Sequence, residues 1–257
     1  MNRKPATLPE VTLSEDGDLR YLHLGSPWVQ GSMFIDKPFE LHLEYIQRMM
    51  AGLLFLPDAA YQSGRAMQLG LGAASLTKFC HKRLRWATTA VEINPQVLMV
   101  CRQWFKLAPN DARLTVLLAD AAHAIAAPEL LGTIDLLHVD LYDHNAAAPV
   151  LDSDAFYRDC FNALADGGVM AVNLFGRMAS FDASVEKITA GFGGKAFAKT
   201  GLRVFKPTRE GNQVVLAQRH APACTKLQLQ ARAELIEAKF KLPALKWLKQ
   251  FSGKGAA

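Results

Sequence analysis

Cysteine is scarce in this sequence of 257 residues, and its four cysteines stand far apart, at Cys80, Cys101, Cys160 and Cys224. They form neither a CxxC pair nor a dense framework, so we expect reduced thiols and a cytoplasmic location. No apolar run approaches the ~20 residues that a membrane-spanning helix needs. The first residues also lack the apolar core of a secretory signal. We therefore expect neither a membrane protein nor a secreted one.

Metal and nucleic-acid motifs are also missing. The seven histidines include no HxxxH pair and no histidine–carboxylate set with zinc-like spacing, so we expect no metal. The net charge is +5, but no zinc-finger spacing and no RNP-like aromatic motif accompanies it, so nucleic-acid binding is not expected. Ser75 has no apparent histidine and aspartate partners, which argues against a serine hydrolase.

What the sequence does have, from Arg65 onward, is an alternation of short apolar runs and helical stretches. The runs "RAMQLGLG", "WATTAVEIN", "RLTVLLAD", "TIDLLHVDLY" and "GVMAVNLF" are rich in Val, Leu and Ile. This pattern predicts an α/β fold with a Rossmann-like, doubly wound and mostly parallel sheet. "LRVFKP" and "NQVVLAQR", joined by "TREGN", predict a terminal antiparallel hairpin. The helix "DSDAFYRDCFNAL" is expected to end at the glycines of "ADGG".

A small β segment is predicted before this domain, because "EVTLSEDGDLRYLHLG" alternates around the turn signal Asp16-Gly17-Asp18. From Glu40 to Pro57, apolar residues recur at three- and four-residue spacing, which predicts a linking helix. "KLQLQARAELIEAKF" predicts a last helix. The three predicted parts are the β segment with its linking helix (1–56), a nucleoside-binding catalytic domain (57–220), and a C-terminal helix with a basic tail (221–257).

Three predicted strand ends carry the residue types of a nucleoside site. Gly70 and Gly72 permit a tight turn and a close approach of the backbone to a ligand. Glu92 follows about twenty residues later, where a carboxylate can accept hydrogen bonds from ribose hydroxyls. A strand-end charge or a partner for the next helix is the alternative for Glu92. Asp120 ends the next strand, where it can accept from an adenine amino group or cap the following helix.

These motifs resemble a known family. "GLGAAS", "VEIN", "LLADA", "IDLLHVDLYD" and "SDAFYRDCFNALADGGVMAVN" stand in the order and spacing of the spermidine synthase family of polyamine aminopropyltransferases. The family's framework is shared with class I S-adenosylmethionine-dependent methyltransferases. The resemblance covers about residues 24–217 and is strongest over 67–174. It implies transfer of an aminopropyl group from decarboxylated S-adenosylmethionine to a small amine, with release of methylthioadenosine. It also implies a homodimer.

The resemblance implies a set of cofactor-binding residues. Glu92 would bind the ribose, and Asp120 with the adjacent Ala121 would lie on the adenine side. Gln30, in "VQGSM", would contact the nucleoside from the N-terminal segment. The glycines Gly70 and Gly72 would form the turn beneath the ligand.

The resemblance also implies roles for the polar end of "TIDLLHVDLYDHN". Asp140 would be the catalytic carboxylate, and Asp143 would help to hold the amine. A carboxylate within hydrogen-bond reach can bind a protonated amine and take its proton. Tyr142 and His144 are candidates for the acceptor pocket, His144 also for proton transfer and Tyr142 alternatively as a cap on the sheet edge. Tyr45 is the approximate counterpart of a family tyrosine.

The sequence departs from the family in several places. The acid of the family's "GGGDGG" loop, which grips the amino group of the donor, is replaced by Ala73. "D-S/C-S/T-D-P" becomes "DLYDHN", and "TREGN" replaces a late "YYGG". Gln68 stands where many methyltransferases place an acid. Two alternatives therefore stay open, a methyltransferase that uses S-adenosylmethionine itself and a catalytically silent nucleoside-binding relative.

Overall fold

The computed structural model describes residues 8–142, 151–175, 178–222 and 224–252. Within these residues two β-sheets form the framework, one with three strands and one with eight. The strands of the small sheet are β1 (Val11–Asp16), β2 (Leu19–Leu24) and β3 (Val29–Phe34). The strands of the large sheet are β4 (Arg65–Leu69), β5 (Ala87–Glu92), β6 (Leu114–Leu118), β7 (Ile134–Val139), β8 (Leu164–Phe175), β9 (Leu202–Phe205), β10 (Asn212–Gln218) and β11 (Phe251–Ser252).

Helices connect and cover these strands. The α-helices are α1 (Glu44–Met49), α2 (Asp58–Ser63), α3 (Ser75–Lys78), α4 (Pro95–Trp104), α5 (Ala121–Ile125), α6 (Asp154–Ala163), α7 (Met178–Gly191), α8 (Lys195–Thr200), α9 (Lys226–Phe240) and α10 (Ala244–Leu248). Met50–Leu54 and Pro128–Leu130 are 3₁₀ turns, and Phe79–Leu84 is a π-helical turn that continues α3. None of the described helices combines the length and the hydropathy that crossing a membrane requires.

The large sheet confirms the predicted α/β fold. Its strand order is β11-β9-β10-β8-β7-β4-β5-β6, and β4 to β8 pair in parallel. β9 and β10 form the predicted antiparallel hairpin, and β10 pairs antiparallel with β8. The chain goes from β4 toward β6 on one side and returns to β7 on the other. The strand order therefore reverses between β4 and β7, which is where open α/β sheets bind ligands.

Each face of the large sheet carries its own apolar cluster. In β8, Val169 and Ala171 join the cluster under α9, whereas Met170 and Val172 join the cluster under α6 and α7. This alternation follows from the period of two in a strand. Because both faces are buried, the strand reads as a continuous apolar run. The first cluster contains residues from all three predicted parts of the chain, and the division at residues 57 and 221 stays a prediction.

Two local predictions need correction. Helix α6 ends at Ala163, and Leu164 is already extended, so the glycines of "ADGG" belong to β8 and do not cap the helix. Gly167 has a φ of +75°, and a Cβ there would lie 2.8 Å from Cγ of Pro57. The glycine therefore lets β8 pass this proline. The linking helix begins at Glu44, and its second half tightens into the 3₁₀ turn Met50–Leu54.

The small sheet packs onto the large domain beside the predicted glycine turn. Leu22 and Met33 share an apolar cluster with Ala73 and Val97. The Nδ2 of Asn94 donates to the carbonyl oxygen of Pro9 at 3.1 Å and ties the start of β1 to the end of β5. This packing places the β2–β3 turn over the carboxyl ends of the parallel strands.

A lysine lies inside the domain behind this turn. Lys78 is 2% exposed, and its Nζ donates to the carbonyl oxygen of Phe105 at 2.7 Å. Burial lowers the pKa of Lys78 to about 7. Because a charged amine is poorly solvated there, the folded state binds this proton less tightly than the unfolded state.

We predict that Lys78→Met reduces the dependence of stability on pH in the alkaline range. The pKa of Lys78 is about 7 in the folded chain against an ordinary value of 10.5, so the unfolded chain holds the extra proton between these values. In the wild type this group should raise the free energy of unfolding by about 1.4 kcal/mol per pH unit between about pH 8 and pH 9.5, and the same stability is lost as the pH falls. Urea denaturation at several pH values measures the slope. The exposed Lys82→Met is the control, and an equal slope in wild type and Lys78→Met would contradict the prediction.

Candidate active site

A cavity of about 690 Å³ opens at the carboxyl ends of the parallel strands. Residues that follow β4, β5, β6 and β7 line it, together with the β2–β3 turn, α1 and the ends of β8 and β10. Its position at the reversal of strand order is the one expected for a nucleoside site. The sequence-predicted residues in its wall are Gln30, Tyr45, Gly70, Gly72, Glu92, Asp120, Ala121, Asp140 and Tyr142.

The turn after β4 brings two strand ends together. Gly70 has a φ of +85°, and its N–H donates to Val91 at 2.9 Å. The N–H of Asp140 donates to the carbonyl oxygen of Leu69 at 3.0 Å, and a Cβ on Gly70 would collide with the carbonyl oxygen of Asp140. Gly70 therefore supplies both the backbone conformation and the space that let β7 deliver Asp140 here.

Gln68 fixes the turn from below. Its Nε2 donates to the carbonyl oxygen of Gly70 at 2.7 Å, and its Oε1 accepts from the N–H of Thr77 at 3.0 Å. The side chain is 3% exposed and is not part of the cavity wall. The position that holds an acid in many methyltransferases here holds an amide that joins the turn to α3.

Glu92 reaches the cavity from the end of β5. Its Oε2 accepts from the N–H of Leu71 at 2.9 Å, and its Oε1 accepts from the N–H of Asn94 at 2.8 Å. Burial raises the pKa of Glu92, while these hydrogen bonds act in the opposite direction. A carboxylate has about four acceptor positions, so these backbone bonds leave capacity for a ligand hydroxyl. The Glu92 carboxylate therefore accepts hydrogen bonds from the backbone and also lines the cavity.

Asp120 combines both of its predicted roles as well. Its Oδ1 accepts from the N–H groups of Ala122 and His123 at 2.9 and 3.1 Å, so it caps α5. Asp120 and Ala121 also line the cavity. The cap orients the side chain and leaves Oδ2 without a hydrogen-bond partner among the described residues.

Asp140 lines the cavity at the end of β7. Its Oδ1 accepts from Nδ2 of Asn173 at 2.9 Å, and its Oδ2 accepts from the hydroxyl of Tyr45 at 3.4 Å. Asn173 is oriented in turn by Asn212, whose Nδ2 donates to its Oδ1 at 3.2 Å. Burial raises the pKa of Asp140, and the two hydrogen bonds oppose this rise. No cation neutralises this carboxylate among the described residues.

Tyr142 is held by the end of β8. Its hydroxyl donates to the carbonyl oxygen of Asn173 at 2.8 Å and accepts from the N–H of Phe175. The tyrosine therefore caps the sheet edge and also lines the cavity. Asp143 and His144, which follow it, lie outside the described residues, and their roles stay predictions.

Ala73, which replaces the loop acid of the family, faces the small sheet. Ala73 is 3% exposed and belongs to the apolar cluster of Leu22 and Met33. A Cβ on Gly31 would lie 2.7 Å from Cβ of Ala73, so β3 touches the loop here. An aspartate at residue 73 would be buried in an apolar contact, which is unfavourable for a carboxylate.

The sequence motifs missed other residues of the cavity wall. The polar and aromatic ones include Trp28, His42, Asn173, Glu210 and Asn212. Asn173 could have been found from the sequence, because it is the polar residue near the end of the predicted strand "GVMAVNLF", which lies next to the strand that delivers Asp140. Glu210 and Asn212 lie in or beside "TREGN", which the hairpin folds over the sheet end. Only the tertiary structure brings Trp28 and His42 to the cavity.

The charged side chains of the cavity wall have one sign. No lysine or arginine lines the cavity within the described residues. Five acids do, and they are Glu44, Glu92, Asp120, Asp140 and Glu210. Arg48 at 2.9 Å and Lys246 at 3.4 Å neutralise Glu44 from outside the wall. The cavity of this basic chain therefore favours a cationic ligand.

Comparison with known proteins of similar sequence identifies the family of this chain. No family model matches the chain. A polyamine aminopropyltransferase from Chromobacterium violaceum is 32% identical over 237 residues, which are 91% of this chain and 86% of the relative. One from Neisseria meningitidis is 34% identical over 215 residues, covering 83% and 78%. The chain belongs to the polyamine aminopropyltransferase family. It is accordingly a transferase of the aminopropyltransferase class.

Solved structures agree on the fold of this aminopropyltransferase-family chain. Human methyltransferase-like protein 13, in complex with SAH, is 25% identical, with a TM-score of 0.65 over 78% of this chain and 93% of that protein. A probable spermidine synthase from Corynebacterium glutamicum is 19% identical, with a TM-score of 0.70 over 92% and 87%. Both share the Rossmann-like framework.

Metal-ligating side chains do not cluster in the described part of this family member. No three His, Cys, Asp or Glu side chains come together there in a way that would hold an ion. Four of the cavity acids, Glu44, Glu92, Asp120 and Asp140, are instead engaged by Arg48, backbone N–H groups, Asn173 or Tyr45.

We predict that Gly70→Ala destabilises the chain more than Gly132→Ala. Both glycines have positive φ, +85° and +67°, but a Cβ on Gly132 meets nothing within 4 Å. The left-handed backbone should cost each variant about 1–2 kcal/mol. Gly70→Ala should lose more, because its new Cβ collides with the carbonyl oxygen of Asp140. Chemical denaturation compares the two, and equal losses would contradict the close approach of β4 and β7.

Proposed function

We propose that the protein transfers an aminopropyl group from decarboxylated S-adenosylmethionine to a small amine and releases methylthioadenosine. The observation that carries this proposal is the charge of the cavity wall, which includes five acids, Asp140 among them, and no lysine or arginine among its described residues. Both substrates of such a reaction are cations. The membership in the aminopropyltransferase family supports the same reaction class.

The charge of the wall favours the decarboxylated donor. S-adenosylmethionine carries an α-carboxylate, which like charges at Asp140, Glu92 and Asp120 would repel. The decarboxylated form lacks that group and keeps its sulfonium and ammonium charges. Glu92 and Asp120 would hold its ribose and adenine, and Gln30 would contact the nucleoside from β3. Gly70 and Gly72 would let the backbone approach the donor.

The reaction needs a neutral amine at Asp140. The carboxylate would bind the protonated acceptor and take one proton from it, so that the nitrogen lone pair can attack the propyl carbon beside the sulfonium. The new C–N bond forms as the C–S bond breaks, and the electron pair of that bond stays on sulfur as methylthioadenosine leaves. Tyr45 and Asn173 orient Asp140 through their hydrogen bonds. Asp143 would hold the amine, and Tyr142 and His144 would border the acceptor.

A methyltransferase that uses S-adenosylmethionine is the second candidate. The observation that favours it is the likeness to human methyltransferase-like protein 13, solved with SAH, at 25% identity. The loss of the loop acid at Ala73 points the same way. The acid-only wall weighs against it, because such an enzyme must accept the carboxylate of its donor.

For assembly and location, the support comes from the family and the composition. We propose a homodimer in the cytoplasm that acts on a small-molecule amine, without a nucleic-acid or membrane partner and without a metal. The retained Asp140, held in the cavity wall by Asn173 and Tyr45, supports an active enzyme over a catalytically silent relative.

An activity comparison of the two donors tests the proposal. The purified protein is incubated with either donor and a panel of diamines, triamines and monoamines, and products are followed by mass spectrometry. We expect methylthioadenosine and an aminopropylated amine with the decarboxylated donor, and no product with S-adenosylmethionine. Methyl transfer to any acceptor, or no transfer to any amine, would overturn the proposal.

We predict that Asp140→Asn lowers kcat about 10²- to 10⁴-fold, because an amide cannot take the proton of the amine. Methylthioadenosine affinity should stay within about threefold, since the change removes charge but little volume. Steady-state kinetics and calorimetry measure the two effects, and Asp16→Asn, on the exposed surface of β1, is the control. Full activity of Asp140→Asn would contradict the role of this carboxylate.

We also predict that Asn173→Ala shifts the acid limb of the pH–rate profile to higher pH. The hydrogen bond from Asn173 lowers the pKa of Asp140 against the effect of burial. Without that bond the pKa rises further, so the ionised form, and with it the rate, is lost at a higher pH as the pH falls. A profile of kcat/KM with an unchanged acid limb would contradict this.

A further inference from the structure

Helix α9 carries apolar residues on two opposite faces. The inner face packs into the first apolar cluster and consists of Leu229, Ala233, Ile236 and Phe240. Because an α-helix has 3.6 residues per turn, four further apolar residues fall on the opposite face. We call them the outer stripe, and they are Leu227, Ala231, Leu235 and Ala238, all exposed. Leu227 and Leu235 are 78% and 55% exposed, so the described part of the chain leaves this apolar surface uncovered.

Two charged residues border the outer stripe, Glu234 on one side and Lys239 on the other. Residues five positions apart differ by about 140° around a helix, so these two cannot pair with each other. None of the salt bridges among the described residues involves either of them. A neutral amide one turn earlier donates to Glu234, which leaves its charge uncancelled. By contrast, Arg232 pairs with Asp58 at 2.8 Å, and Glu237 accepts a backbone N–H of α10 at 3.0 Å.

The order of these residues is that of a two-stranded parallel coiled coil. Written as heptads, Ala231 and Ala238 take position d and Leu235 takes position a. Glu234 then takes position g, and Lys239 takes the following position e. In a parallel pair these two positions of facing helices lie side by side and form ion pairs between the chains. The residues of the inner face take positions b and f, so α9 can pack on its own domain and on a second helix at once.

Charge distinguishes the two ways in which a two-fold axis can pair this helix. With the axis along the helices, they run parallel, and the Glu234 side of each meets the Lys239 side of the other. With the axis across them, they run antiparallel and each side meets its own equivalent, so acids face acids. Because a two-fold axis repeats every contact, the parallel arrangement gains two ion pairs.

We propose that the outer stripe of α9 is the contact surface between two copies of this chain, which pair through parallel α9 helices about a two-fold axis. The small side chains of Ala231 and Ala238 let the helices approach closely, and Leu235 of each copy packs between them. Glu234 of each copy pairs with Lys239 of the other. This surface deepens the homodimer of the proposed function and does not depend on the reaction that the enzyme catalyses.

Analytical ultracentrifugation of the full chain over a range of concentrations tests the surface. We expect a dimer for the wild type and a Kd at least about tenfold weaker for Leu235→Glu, which places two like charges in the contact. Leu131→Glu, at a residue that is 59% exposed outside α9, is the control. A dimer that Leu235→Glu leaves unweakened would overturn the surface alone. A wild type that sediments as a monomer would overturn the homodimer as well, and the donor assay reports on the reaction independently of both.

Exchange of the two charges tests the pairing between the copies. Glu234→Lys and Lys239→Glu should each weaken the dimer about three- to tenfold, because like charges then meet across the contact. The double variant restores opposite charges and should regain the wild-type Kd. Failure of the double variant to recover, with both single variants weakened, would contradict the proposed pairing.

Cysteine cross-linking tests the orientation. Ala231→Cys and Ala238→Cys should each form a disulfide-linked dimer under mild oxidation, because equivalent d positions face each other in parallel helices. The wild type is the control for the native cysteines. Cross-linking at one of the two positions alone would show antiparallel helices and overturn the proposal. No cross-linking at either position, as when a segment of the same chain covers the stripe, would also overturn it. If Leu235→Glu did not fold, these variants would still decide.

Discussion

The site depends on the close approach of two strand ends at Gly70. The carbonyl oxygen of Asp140 occupies the space that any side chain at residue 70 would need. Because β4 and β7 meet there in parallel, one glycine places the turn of the first strand against the carboxylate of the other. Gln68 then ties the turn to α3, so the geometry is set by packed backbone and not by mobile side chains. Such rigidity preorganises a site before its ligand arrives.

No charged side chain among the described residues neutralises Asp140, so its charge is available to a ligand. Its partners, Asn173 and Tyr45, are neutral donors, which orient a carboxylate without cancelling it. An arginine in the same place would lower its pKa further but would compete with an incoming ammonium group. Glu44 illustrates the contrast, since Arg48 and Lys246 already neutralise it. The cavity therefore holds one acid that is already neutralised, Glu44, and another, Asp140, whose charge is available to a substrate.

The features that could be predicted from the sequence are those that depend on neighbouring residues in the chain. The strands were predictable because they are short apolar runs, buried on both faces at the centre of the sheet. Glu92, Asp120 and Asp140 were predictable because each stands at the end of such a run. The "ADGG" glycines were misassigned because a glycine can cap a helix or let a strand pass Pro57, and only the fold distinguishes these uses. No sequence motif indicated Trp28, because its place at the cavity depends on how the small sheet packs on the large domain, which is a contact between distant segments of the chain.

The contact between Gly31 and Ala73 has a consequence for how this family diversifies. Glycine is already the smallest residue, so β3 cannot make room at residue 31 for a larger neighbour by substitution there. Restoring an acid to the loop would require the strand itself to move, together with the apolar cluster that seats it. Homologues with an acid at this loop position are expected to attach their small sheet differently. Donor recognition and the docking of an N-terminal module should thus change together in evolution.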